Sequence, residues 1–226
     1  MKNILFVLTS NGAMGSTGHK TGFWVEEFAA PYYTLTDKGF NVTLASQEGG
    51  QPPIDPNSDT EDAATEATKR FDKDEATKNK LANTLKLDAI NQNDFDAVFY
   101  PGGHGLLWDL VENKTSKDLI ESFYNHKKPV AFVCHAPAIL KNIKGVDGKP
   151  LVNGKNVTGF TNGEEEAVKL TDVVPFLVEN MLIENGGNYS KLGDWKPYAL
   201  EDGLLITGQN PASSQKVAEL LIKKLQ

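Results

Sequence analysis

A chain of 226 residues can bury roughly 70% of the surface its unfolded form exposes, so a core needs no disulfide staples, and a single domain over 1–226 is expected. Its 23 Lys plus Arg against 30 Asp plus Glu leave a net charge of −7, which opposes tight binding to nucleic acid, where cationic side chains must neutralise phosphates. One cysteine excludes an internal disulfide and fits a reducing cytoplasm, and no run approaches the about 20 apolar residues that a membrane span needs.

The apolar run 4–8 is too short for a secretion signal and reads as a first buried strand. Residues 22–38 then place Trp24, Phe28, Tyr32 and Leu35 at helical spacing, with Lys38-Gly39 as a stop. Glu27 sits beside that apolar stripe, where burial would raise its pKa and let it hold a proton near neutrality; Glu26 should point further toward water. A strand at 42–45 precedes an inserted loop and helical excursion at about 47–87. Its first part carries Pro52, Pro53 and Pro56, and its second, charge-rich part has Ala63, Ala67, Phe71, Leu81 and Leu85 as sparse anchors. It reads as a solvated helix pair or as a cover over an active site.

The strand at 97–100 runs into Pro101-Gly102-Gly103-His104-Gly105, where glycines permit positive φ and free N–H groups could face a ligand as an oxyanion hole; a plain tight turn is the alternative. A helix at 115–126 and strands at 130–133 and 157–160 follow. An apolar helix at 171–186 is started or kinked near Pro175, and the chain closes with a strand at 204–207 and a helix at 212–225. The strands are apolar without alternation and helices separate them, which implies βαβ units, a mainly parallel sheet with helices on both faces, and ligands at the carboxyl ends of the strands.

One segment concentrates the chemistry. The strand at 130–133 meets an apparent helix at Cys134-His135-Ala136-Pro137, the geometry of a nucleophile elbow, and the following helix N-terminus would favour a thiolate. A buried structural cysteine is the bland alternative. His135 is a candidate proton carrier that needs an orienting partner, although the ring could merely cap a carbonyl. Glu164, Glu165 and Glu166 offer carboxylates after the next strand; one could reach His135, and acids opening a helix also steady its N-terminus. Glu27→Gln is expected to raise the thiol pKa or to slow proton transfer. The histidines are His19, His104, His126 and His135, and no metal-ligand spacing such as H-E-x-x-H or C-x-x-C occurs, so neither a metal nor another cofactor is expected.

Five stretches carry a resemblance: Lys20-Thr-Gly-Phe-Trp-Val-Glu26-Glu27, Pro101-Gly-Gly-His-Gly105, Val133-Cys134-His135-Ala-Pro137-Ala, Thr158-Gly-Phe-Thr161 and Gly208-Gln-Asn-Pro211-Ala-Ser. Over nearly its whole length the chain resembles the PfpI-type, class I glutamine amidotransferase-like superfamily, in the branch of glutathione-independent glyoxalase III enzymes and related heat-shock chaperones. That resemblance implies a flavodoxin-like three-layer α/β sandwich and a Cys-His-acid triad of Cys134, His135 and Glu165, with Glu164 the other choice for the acid. It implies Glu27 as the acid held against the cysteine, an oxyanion hole from the backbone of Gly103 and His135, and His104 lining the pocket. It further implies a homodimer acting without cofactor on a small dicarbonyl or aldehyde such as methylglyoxal or glyoxal, with unfolded or glycated proteins as further partners. A holding chaperone, a redox sensor holding a Cys134 sulfinate against Glu27, and a cysteine peptidase or amidase are the alternatives. Glutamine amidotransfer is disfavoured, because no histidine lies downstream of the cysteine turn.

Overall fold

Alternate residues of each central strand serve two different cores, as the two-residue period of a strand requires. The computed structural model describes residues 2–226. In chain order the elements are β1 (Asn3–Leu8), α1 (Val25–Thr36), β2 (Asn41–Ser46), α2 (Glu66–Lys73), α3 (Glu75–Ala82), β3 (Leu85–Lys86), β4 (Ala97–Tyr100), α4 (Lys114–Asn125), β5 (Val130–Val133), β6 (Asn156–Val157), α5 (Asn162–Ala167), α6 (Val178–Glu184), β7 (Asn188–Tyr189), β8 (Ala199–Asp202), β9 (Leu205–Gly208) and α7 (Ser214–Leu225). Ile4, Phe6, Leu8, Phe99, Ala131 and Val133 pack with Phe28 and Tyr32 of α1, Phe71 of α2 and Leu221 of α7. Leu5, Val7, Val98, Tyr100, Val130 and Phe132 pack with Phe123 of α4, Ile139 and Leu182. Burying each such side chain contributes about 1.5–3 kcal/mol, so the two layers carry the fold.

The main sheet has the order β3-β2-β1-β4-β5-β9-β8, and a separate pair joins β6 to β7. Every pairing is parallel except β8 with β9. With helices on both faces this is the α/β sandwich that the chain order implies. No helix among the described residues is long and apolar enough to cross a membrane.

Several elements differ from the sequence expectation, each for a local reason. The run 157–160 is not a strand of the main sheet: only Asn156–Val157 pairs, with β7, because the Thr158 N–H turns to the Thr207 hydroxyl and the Phe160 N–H to the Cys134 carbonyl. The apolar helix is shorter than 171–186, starting at Val178 after Pro175. The segment after Cys134 is a 3-10 helix, Ala136–Asn142, rather than an α-helix. The 47–87 excursion holds α2 and α3 and is anchored by buried Phe71 and Leu81.

Candidate active site

The site lies at the carboxyl ends of β1, β4 and β5, where parallel strands release their chains into loops. Cys134 follows β5 directly with φ +62°, a left-handed conformation that costs a non-glycine residue of order 1–3 kcal/mol. Two hydrogen bonds hold it there: its N–H donates to Gly208 O (2.9 Å) at the end of β9, and its carbonyl accepts from Phe160 N–H (2.8 Å). The thiol is 3% exposed.

The next residue aims its ring back at the sulfur. His135 Nδ1 lies 3.3 Å from Cys134 Sγ, and His135 Nε2 lies 2.8 Å from Glu165 Oε2. Glu165 Oε1 is 2.8 Å from His104 Nε2, so one carboxylate joins two imidazoles whose ring centres are 3.9 Å apart. Burial opposes ionisation of Glu165, yet the electrostatic attraction of the His135 and His104 rings and their hydrogen bonds outweigh it and hold its carboxyl well below the usual range. Burial, reinforced by the neighbouring His104, lowers the His135 pKa and keeps the ring neutral. An ionised carboxylate can only accept, which puts protons on both Nε2 atoms and leaves His135 Nδ1 as a lone pair facing the thiol.

Glu164 does a different job. It opens α5 in a capping box with Thr161, and Trp195 N–H (2.8 Å), Gln209 Nε2 (3.1 Å) and Asn210 Nδ2 (2.7 Å) all donate to its Oε1. Glu166 is exposed and makes no hydrogen bond to the cluster. Of the three carboxylates, only Glu165 reaches His135.

Glu27 is fully buried on α1, and its Oε2 accepts the Gly102 N–H at 2.8 Å. Burial drives its pKa well above the usual carboxylate range, against the Cys134 thiol and the Gly102 amide, which lower it. A Cβ on Gly102 would stand 2.5 Å from that carboxylate oxygen, so only glycine lets the acid and the loop meet. Glu26 departs from expectation: it is half-buried and accepts a hydrogen bond from Thr65 of the excursion rather than facing water.

The thiol departs from expectation too. Burial, then Glu27, then Glu164 and Glu165 push the Cys134 pKa well above that of an ordinary thiol, and the short 3-10 turn that follows does not offset them. At rest the sulfur is protonated. Since Glu27 raises the thiol pKa, Glu27→Gln should lower it, the reverse of the expected direction; alkylation of Cys134 as a function of pH measures this. The stability sign is also fixed. A carboxyl whose folded pKa is raised favours the folded state below the ordinary carboxylate range, and that contribution disappears as pH rises through the elevated value. Glu27→Gln should therefore flatten the decline of stability as pH rises above the ordinary carboxylate range, and a denaturant series from about pH 4 upward that keeps its slope would contradict this.

Gly103, with φ +105°, presses so close to Gly22 and Trp24 that any Cβ would collide with their backbone. Its N–H and that of His135 donate to no backbone or side-chain acceptor among the described residues, whereas the Gly102 N–H is spent on Glu27. Beside them a cavity of about 520 Å³ is lined by Met14, Trp24, Asp55, His104, Val168 and Leu170, among others. Trp24, which the sequence places in the apolar stripe of the first helix, is its half-buried N-cap and a cavity wall. Asp55 and its neighbours bring the excursion to the pocket edge. Phe160, read only as part of a strand, lies with its ring centre 4.2 Å from that of His135. His104, His135 and Glu165 form a cluster whose potential ligand atoms lie within 4.8 Å of one another, but these groups already pair among themselves, so a metal ion would have to break two charge-assisted hydrogen bonds.

A model of the DJ-1/PfpI family matches residues 20–224. The chain belongs to the DJ-1/PfpI family. Within it, the chain is similar to the glutathione-independent glyoxalase HSP31 of Saccharomyces cerevisiae, 33% identical over 100% of this chain and 98% of that one. Among solved structures it is similar to the 24 kDa rapid encystment protein of Francisella tularensis, with a TM-score of 0.95 and 38% identity over 100% of both chains. It is also similar to glyoxalase III of Candida albicans, with a TM-score of 0.91 and 31% identity over 99% of this chain and 97% of that one.

Proposed function

We propose that this member of the DJ-1/PfpI family is a glutathione-independent, glyoxalase III-like enzyme, converting methylglyoxal to D-lactate, or glyoxal to glycolate, through a hemithioacetal on Cys134. The observation that carries the reading is the unbroken line from Cys134 Sγ through the His135 ring to Glu165, with Glu27 buried against the same thiol. The glyoxalase names of its relatives supply the substrate class, a small dicarbonyl.

Because the resting thiol is protonated, attack and deprotonation belong to one step. As sulfur adds to the aldehyde carbon C1, His135 Nδ1 takes the thiol proton and Glu165 stabilises the imidazolium. The N–H groups of Gly103 and His135 meet the developing alkoxide, which then takes up a proton as the hemithioacetal hydroxyl. Glu27 moves the hydrogen of C1 to C2, a task suited to an acid whose pKa is raised toward neutrality. C1 is oxidised and C2 reduced within one molecule, so no external electron acceptor enters; water then hydrolyses the thioester. A homodimer in the cytoplasm, and a protective role toward glycated or unfolded proteins, belong to the same proposal through the resemblance alone. A sensor role is less well supported, because the raised thiol pKa keeps the oxidisable thiolate scarce.

Methylglyoxal consumption and lactate formation by the purified protein without glutathione, run beside Cys134→Ala, test the reading. Turnover that vanishes in the variant is the expected result. A wild-type protein that leaves methylglyoxal untouched would overturn it.

A further inference from the structure

A dicarbonyl has two oxygens, and the residues assigned so far attend to one. The amides of Gly103 and His135 serve O1, on the carbon that sulfur attacks; when the C1 hydrogen leaves, negative charge develops on O2 and nothing named above meets it. We infer that His104 is a catalytic residue, a proton carrier that takes a proton from O1 and gives it to O2. This role rests on the proposed glyoxalase reaction and deepens it.

The geometry singles out this ring. His104 Nε2 is anchored on Glu165 Oε1 at 2.8 Å, which fixes the ring and its tautomer and leaves Nδ1 as a lone pair. Its other nitrogen, Nδ1, has no hydrogen-bond partner among the described residues and is not among the occluded unpartnered atoms, and the residue lines the 520 Å³ cavity. His104 directly follows Gly103, so the proton carrier and an oxyanion-hole amide share one rigid turn, His104–Leu107 with its N-cap. His135 cannot take the task as readily, since its Nδ1 is committed to the sulfur at 3.3 Å and its Nε2 to Glu165. A carboxylate with an imidazole on each oxygen thus orients two bases toward different reacting atoms.

The step balances. The C1–H bond breaks with its proton going to the Glu27 carboxylate and a C1=C2 double bond forms, while the O1 hydroxyl proton passes to the His104 Nδ1 lone pair and from there to O2. Glu27 then returns its proton to C2 as the C1=O1 bond re-forms, leaving the Cys134 thioester of the 2-hydroxy acid and both protein groups as they began. The two oxygens are neighbours on the enediol, so one nitrogen can serve both.

The test compares wild type, His104→Gln and His104→Ala with methylglyoxal and with methylglyoxal deuterated at the aldehyde carbon, while iodoacetamide reports Cys134 reactivity. The expected result is a fall in kcat of about 100-fold for His104→Ala, the ordinary contribution of a general acid. KM should change little, the deuterium effect should grow because C–H cleavage becomes slower, and alkylation of Cys134 should be unchanged. His104→Gln keeps a neutral donor and should lie between. Variants that keep wild-type kcat overturn the assignment, as do variants whose turnover and Cys134 alkylation fall together, since His104 would then only brace Glu165. A wild type without turnover overturns the glyoxalase reading itself and this role with it.

Discussion

Glu165→Gln is expected to reduce methylglyoxal turnover by about 10,000-fold, the scale seen when an amide replaces the acid of a catalytic triad. The substitution preserves shape, so the reason is electrical and tautomeric. An amide has one accepting and one donating end, whereas the carboxylate accepts from His135 Nε2 and His104 Nε2 at 2.8 Å each. One imidazole must therefore turn over its tautomer, and neither retains a negative partner for its charged form. If His135 is the ring that changes, its proton moves to Nδ1, where the thiol now meets a donor. The melting temperature should fall by only a few degrees, at about 2–4 °C per kcal/mol for a chain of this size. Steady-state kinetics beside calorimetry separate the two readouts, and near wild-type activity in Glu165→Gln would remove this carboxylate from the chemistry.

The adjacent glutamate should behave in the opposite way. Glu164→Ala takes away the acceptor of Trp195 N–H, Gln209 Nε2 and Asn210 Nδ2 on one oxygen and of Thr161 N–H (3.0 Å) on the other. Buried donors left without partners cost about 1–3 kcal/mol each before relaxation, and losing one side of a buried charged network costs about 3–5 kcal/mol in all. The melting temperature should fall by about 10 °C. Well below that temperature the folded variant should still turn over substrate, since Glu164 touches neither His135 nor Cys134 by any hydrogen bond. A calorimetric trace that superposes on the wild type would show that the network around α5 is not holding the loop at Trp195.

How much of this could be read from the chain alone follows from where each residue sits. β1, β4, β5 and β9 were legible because they are buried on both faces and therefore spell near-continuous apolar runs, and β2 because Val42, Leu44 and Ala45 are buried. β8 was not, because Leu200, Glu201 and Asp202 are half-buried at an edge and carry no such signature, and the two-residue strands β3, β6 and β7 are too short for any pattern. The Cys134–His135 turn was visible as a strand running into proline-marked helix. The choice between Glu164 and Glu165 does carry a local signal: Thr161 followed three residues later by Glu164 is the spacing of a capping box, which assigns Glu164 to the helix end. The bond between His104 and Glu165 spans 61 positions and has no local trace. The upward shift of the thiol pKa was hidden for the same reason, since it is set by burial and by Glu27, more than a hundred residues earlier in the chain.

The two borders of the main sheet bear on how this protein can meet other chains. At one border β3 is two residues long and ends in Lys86; at the other, β8 is a four-residue antiparallel strand whose Asp202 is tied to Asn156 N–H and Lys155 beside it. Neither presents a flat row of free N–H and C=O groups long enough for a foreign backbone to pair with, which is how sheets ordinarily resist templated aggregation. Any protection this fold extends to damaged proteins must then work through side chains or chemistry, at points such as exposed Trp195 and Leu192, and not by recruiting an unfolded strand into its own sheet.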